Sequence, residues 1–149
     1  MVSELKFIKV KNVKSPTRGT EQSAGIDFFV PDDFETVVLL PGESCFIPSG
    51  IKVSLPSGHV LIAFNKSGVA VKKSLHVGAC VVDEDYQGEL HLNLTNAGNQ
   101  PQIIERGDKI TQFVLLPVNY ATPVEVEPKD LYKETSKRGE GGFGSTGTK

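Results

Sequence analysis

An all-β sandwich or barrel, with one short helix and a flexible Gly-rich C-terminal arm, is the fold class predicted by this 149-residue sequence. Three observations carry the prediction. Turn signals recur at Pro31, Pro41, Pro48 and Pro56, in NAGNQP from Asn96 and in ERGD from Glu105. Short runs rich in Val, Ile, Phe and Leu lie between them. No long helical period interrupts the pattern.

The elements follow in order. TVVLL (residues 36–40), SCFI (44–47), IKVSL (51–55) and HVLIAF (59–64) read as strands, because each is a β-branched or aromatic run bounded by turn formers. SGVAVKKS (67–74) is the best helix candidate. ACVV leads into a strand end, DEDYQG turns the corner and ELHLNLTN (89–96) returns. That return has the clearest alternation: Leu90, Leu92 and Leu94 share one face, and His91, Asn93 and Thr95 the other. KITQFVLLPV (109–118) reads as a more deeply buried strand, and PKDLYKE (128–134) as a turn or connector. From about Tyr120 the chain becomes polar and Pro-containing, then Gly-rich. The expected organisation is a β-domain over residues 1–119 and an arm over residues 120–149. Such an arm supplies little core, so it either waves freely or lies across something else, such as a neighbouring subunit.

Composition narrows the function classes. Formal net charge is −2 and pI about 5.9. No basic patch for gripping nucleic acid is visible, and Lys9, Lys11, Lys14 and Arg18 read as a solvated strand edge. Cys45 and Cys80 have no metal spacing and no disulfide framework, and their apolar flanks predict buried free thiols. No apolar run approaches the ~20 residues of a membrane span, and the N-terminal stretch lacks the apolar core of a signal peptide. The expectation is a soluble intracellular protein with no nucleic-acid and no membrane partner.

Several stretches carry candidate chemistry. Asp83 ends an apolar run, so it is expected to point inward, where a carboxylate can deprotonate a water; the bland alternative is a solvated charged turn. Tyr86, three residues on, can pack its ring on a sugar. In NKSGVAVK a Ser-Gly pair opening a helix offers N–H groups to an anion and Lys66 adds charge; the alternative is an ordinary N-cap by Ser67. In AGIDFFVP an inward Asp27 needs hydrogen bonds or a nearby cation; the alternative is a capping role. Gln112 is a polar residue within a strand. RGEGGFGSTG, half of it Gly, offers Arg138 for phosphate, Phe143 for stacking, and Ser145 and Thr146 as donors.

Taken together and in order, AGID, KSGVAVK, GACVVDEDYQGE, RGDKITQ and RGEGGFGSTG resemble the five motifs of the trimeric dUTPase family, from about Ala24 to Gly147. The resemblance implies a jelly-roll-like fold and a homotrimer with active sites at subunit interfaces. It implies hydrolysis of dUTP to dUMP and pyrophosphate, which lowers dUTP and supplies dUMP for thymidylate synthesis, with Mg²⁺ on the triphosphate. By position, Asp83 activates the water that attacks the α-phosphorus and Tyr86 lies under the deoxyribose. Lys66, Ser67, Gly68 and Gln112 meet phosphates, and Asp27 supports the metal's water shell. The backbone around Cys80, Val81, Val82 and His91 pairs with uracil. Arg138 reaches the γ-phosphate and Phe143 covers the base, with Gly144, Ser145 and Thr146 beside them. Two positions depart from the pattern: Lys66 stands where Arg is usual, and Cys80 where many relatives carry Gly. The rival readings are a dCTP deaminase, or bifunctional deaminase, on the same fold and a nucleotide-binding regulatory protein.

Overall fold

The computed structural model describes residues 3–149. In chain order, the strands and helix are β1 (Lys6–Lys9), β2 (Ile26–Phe29), β3 (Val37–Leu39), β4 (Ser44–Pro48), β5 (Ile51–Ser54), β6 (His59–Asn65), α1 (Ser67–Lys73), β7 (Leu75–Val77), β8 (Val81–Val82), β9 (His91–Asn96), β10 (Gln102–Ile104) and β11 (Lys109–Pro117). The fold is all-β, as the turn spacing predicts. A four-stranded sheet has the order β2-β11-β6-β8, and a three-stranded sheet the order β4-β9-β7. Two antiparallel ribbons, β1-β5 and β10-β3, complete the pairing. Strands β1, β2, β7 and β10 are only three or four residues long. Runs that short carry no readable period, so the partner strand decides them.

Alternation builds the core. Along β9, Leu92, Leu94 and Asn96 are buried, while His91, Asn93 and Thr95 are only partly so. Strand β11 pairs with β2 on one edge and β6 on the other, which makes it one of the two inner strands of its sheet. Its Phe113 ring meets Phe28 of β2 at 4.4 Å between centroids, tilted by 50°. Leu61, Leu75 and Ile104 join the same apolar cluster.

The β2–β11 register shifts by one residue between Lys109 and Thr111. Lys109 lies opposite Phe29 and Gln112 opposite Asp27, so Ile110 is the extra residue of a bulge. Without the bulge, Lys109 and Gln112, three apart, would face opposite sides of the sheet. With it they share a face.

The β1 strand is exposed along its length, and of the four basic residues expected on a strand edge only Lys9 lies on it, Lys11, Lys14 and Arg18 following in the loop beyond. Lys11 pairs with Asp33 at 3.5 Å, and Arg18 donates to the carbonyls of Ser23 and Ala24 at 2.7 and 3.1 Å. Tyr120–Lys149 forms a separate unit built of turns, with one 3₁₀ turn at Pro128–Asp130. Among the described residues no helix is long and apolar enough to cross a membrane.

Asn96 is fully buried and closes the end of β9. Its Nδ2 donates to the carbonyls of Leu39 and Gln100 at 2.9 and 2.8 Å, and its Oδ1 accepts from Gly98 N–H at 3.0 Å. Asn96→Ala strands the buried Leu39 carbonyl and removes two part-buried bonds, so urea denaturation is expected to show a loss of about 1–3 kcal/mol.

Candidate active site

The hairpin after β8 is tied down from several sides. Tyr86 N–H donates to the Asp83 carbonyl at 3.1 Å, closing the turn. The Glu84 carboxylate accepts from Gly58 N–H and the Glu89 carboxylate from Gly50 N–H, both at 3.0 Å. Of the three consecutive acids, Glu84 therefore has a structural duty. The Tyr86 hydroxyl donates to the Glu89 carbonyl at 2.9 Å. Gly88 leaves room for that ring: a Cβ there would lie 2.3 Å from the Tyr86 hydroxyl oxygen.

Among the described residues strand β8 pairs only with β6, and no backbone ladder joins it to β9. The gap holds a cavity of about 170 Å³. Cys80, Val81, Val82, Asp83, Tyr86 and His91, the six hairpin residues named from the sequence, all line it. Phe46 lines it too. It stacks face to face on the His91 ring, with centroids 4.2 Å apart and planes 5° apart, yet is 63% exposed. Nothing in SCFI marks that residue, because the contact joins β4 to β9 across the sheet.

Two expectations change here. Asp83 is exposed at this cavity rather than pointing inward. The reason is that β8 is an edge strand of two residues and the chain turns outward after Val82. Both cysteines are free, but each is only half-buried. Burial pushes the Cys45 thiol up from its ordinary value, so it stays protonated at neutral pH and packs as a small apolar group.

A second cavity, about 580 Å³, is lined by Lys66, Ser67, Gly68 and Gln112 together with Lys72, Lys73 and Lys109. Four lysines on one cavity form a cationic patch, three of them from residues 66–73 and Lys109 from β11, which the fold brings beside them. Behind it sits Asp27, 5% exposed. The Lys66 ammonium pairs with Asp27 Oδ1, and Lys109 Nζ lies 3.6 Å from Oδ2. The carboxylate expected behind an ion's water shell thus holds two ammoniums. Its charge cancels one of the two, and a buried carboxylate without them would be costly. Lys66 is the N-cap of α1, so Ser67 is the first helical residue, and no side chain caps the helix. Ser67 is therefore not the cap. Gln112 Nε2 donates to the Asn65 carbonyl at 2.8 Å, and Asn65 Oδ1 accepts from Val77 N–H at 2.7 Å.

The two cavities share no lining residue. Val82 pairs with Leu61, so Asp83 comes level with Val60 on β6. Lys66 follows the far end of that strand, roughly 20 Å away at about 3.3 Å per residue. That exceeds the reach of one triphosphate. A third group of named residues lies in the Tyr120–Lys149 unit. Arg138 Nε donates to the Gly141 carbonyl at 2.7 Å, and Ser145 N–H to the Gly142 carbonyl at 3.1 Å. Phe143 is fully exposed and adopts φ 51°, a backbone state that disfavours side chains, followed by Gly144 at φ 92°. Thr146 lies exposed in the same turns.

Known proteins match this chain over most of its length. The dUTPase family model covers residues 11–147. The chain is 43% identical to the deoxyuridine 5'-triphosphate nucleotidohydrolase of Maricaulis maris, covering 90% of this chain and 88% of that protein. It is 35% identical to the Mus musculus protein of the same name, covering 97% and 86%. A mutant dUTPase of Staphylococcus bacteriophage 80alpha, solved with dUpNHpp, superposes with a TM-score of 0.83 at 29% identity, covering 98% of this chain and 99% of that one. A mutant dUTPase of phage phi11, described for its structural Mg(II) ion, superposes at 0.75 with 27% identity, covering 83% and 97%.

Gly25 makes room for Gln112: a Cβ there would lie 1.9 Å from Gln112 Oε1. Gly25→Ala is expected to push the amide out of the cationic cavity. Calorimetric titration with inorganic triphosphate should show binding about five- to tenfold weaker.

Proposed function

The chain belongs to the dUTPase family and hydrolyses dUTP to dUMP and pyrophosphate, and we propose that Asp83 is the residue that activates the attacking water. The carboxylate takes a proton from water as the water oxygen bonds to the α-phosphorus. The bond from that phosphorus to the α,β-bridging oxygen breaks, and pyrophosphate leaves with the bond's electron pair. One water is consumed and one P–O bond exchanged for another. The observation that carries this reading is the cavity between β8 and β9, which gathers Asp83, Tyr86 and the hairpin backbone around one volume.

That gap also accounts for the choice of base. An edge strand leaves alternate N–H and C=O groups unpaired, so uracil can take the place of a neighbouring strand between β8 and β9. A polar wall of this kind rejects a base whose donors and acceptors are transposed, as cytosine's are at position 4. Tyr86, held by Gly88 and the Glu89 carbonyl, is a flat floor for the sugar. The four lysines and Gln112 suit the phosphates, with Lys66 acting as a point charge where an Arg would offer a planar fork.

The triphosphate needs both cavities, and one chain holds them roughly 20 Å apart. A second copy must therefore bring the cationic cavity to the Asp83 hairpin of the first. A rotationally closed ring of three copies supplies three such junctions, which is the homotrimer that the motifs imply. Residues 120–149 serve as the arm that closes over bound nucleotide. Arg138 goes to the terminal phosphate, Phe143 to the base, and Gly144, Ser145 and Thr146 lie alongside. The residues present do not fit a protein-held Mg²⁺. Among the described residues no three His, Cys, Asp or Glu side chains gather, and Asp27 is occupied by lysines. An ion accompanying the substrate would take its ligands from phosphate and water. Two free cysteines accord with a reducing, intracellular setting.

Pyrophosphate release is expected from dUTP well ahead of dCTP, dTTP and UTP, with no ammonia from dCTP; ammonia would favour the deaminase reading. Asp83→Asn should lower kcat by about three orders of magnitude or more while dUTP affinity is largely kept. Retained turnover would remove Asp83 from the base role.

Sharing of the site has its own test. Asp83→Asn and Gln112→Ala chains, each weak alone, are co-expressed with different tags and purified through both. Mixed assemblies should regain activity, because some junctions then combine an intact Asp83 with an intact Gln112. No recovery would mean that each chain builds its site alone.

A further inference from the structure

Asn93 takes no part in the reading above, yet its side chain braces the wall of the cavity between β8 and β9. Its Oδ1 accepts from Ala79 N–H at 2.7 Å, and its Nδ2 donates to the Cys45 carbonyl at 2.8 Å. Its backbone carbonyl accepts from Gly78 N–H at 3.0 Å. One residue therefore joins three segments: β9, the stretch entering β8, and β4. The ladder between β7 and β9 ends at Val77 opposite Leu94. Beyond that point, Asn93 supplies the last ties before the chain diverges to form the gap.

The placement bears on recognition. Ala79 and Cys80 line the cavity directly, as does Phe46, which lies opposite Asn93 across the β4–β9 pair. Gly78 allows the contact: a Cβ there would lie 2.2 Å from Asn93 Oδ1. On the outer face of an alternating strand, a polar residue is ordinarily solvated and replaceable. Here both polar ends of the amide are spent on backbone, and both bonds are short.

We propose that Asn93 is a positioning residue for base recognition: its amide clamps the Ala79 backbone to β9 and to the Cys45 carbonyl, which fixes the width of the gap that uracil fills. The inference rests on the reading of that gap as the base site. Asn93 touches neither the phosphates nor the attacking water. Its loss loosens the base's fit and leaves the chemical step and the phosphate contacts alone.

The test compares full-length wild type, Asn93→Val, Gly78→Ala and the double variant. Val suits a strand and removes both hydrogen bonds. Gly78→Ala evicts Oδ1 without touching Asn93. Each single variant should raise the KM for dUTP about fivefold, with kcat within about twofold and the preference for dUTP over dCTP reduced. The double variant should be no worse than the poorer single one, because both remove the same clamp. Inhibition by inorganic triphosphate, which has no base, should be unchanged. Hydrogen exchange at the Ala79 amide should speed up in both variants. An unchanged KM in both singles overturns the proposal, as does a parallel weakening of triphosphate inhibition, which would mark general loosening. Wild type that turns over dUTP and loses that turnover on Asp83→Asn keeps the base-site reading standing even if the Asn93 variants are silent. Wild type without dUTP turnover overturns both.

Discussion

A single buried carboxylate, Asp27, holds together the parts of the cationic cavity. It lies on β2 and draws Lys66 from the end of β6 and Lys109 from the start of β11. An isolated ion at that depth would cost several kcal/mol, which favours the register in which β2, β6 and β11 bring these three groups together. The β11 bulge satisfies this demand. It turns Lys109 to the face that Asp27 and Gln112 already share. Asp27 orients two of the lysines that line the cavity, and the charge it leaves uncancelled remains on that patch.

Glycine is used here in a consistent way. At Gly25, Gly78 and Gly88 the missing Cβ is filled by a neighbour's polar atom, respectively from Gln112, Asn93 and Tyr86. In each case the neighbour then makes a backbone hydrogen bond. The glycines matter less for their own freedom than for the side chain each admits. A substitution at any of them acts at one remove, through a group that lines the site or braces it.

Division of labour between two cavities follows from sheet geometry. A strand carries its residues away at about 3.3 Å each, so groups at opposite ends of β6 cannot meet on one small ligand. The hairpin end of the sheet provides an unpaired edge and a carboxylate, which suit a base and a water. The other end provides lysines and an amide, which suit phosphates. Joining unlike ends of two copies is a heterologous contact, and a rotation that closes turns such contacts into a ring.

The sequence by itself determined the all-β class, the short helix read at residues 67–74 and found at Ser67–Lys73, and the alternation along β9, because each depends on neighbours in the chain: turn formers, local propensity and a period of two. It also picked out which residues share a cavity at the hairpin, since consecutive residues around a tight turn cannot be far apart. Other features needed the tertiary structure. Lys109 joins Gln112 only because of a bulge that no local pattern encodes. Phe46 meets His91, and Asn93 meets Cys45 and Ala79, through register between strands distant in sequence. Asp83 lies exposed because, among the described residues, β8 has no partner on its outer edge. Burial and pairing are properties of what lies across the sheet, and a linear chain does not say what that will be.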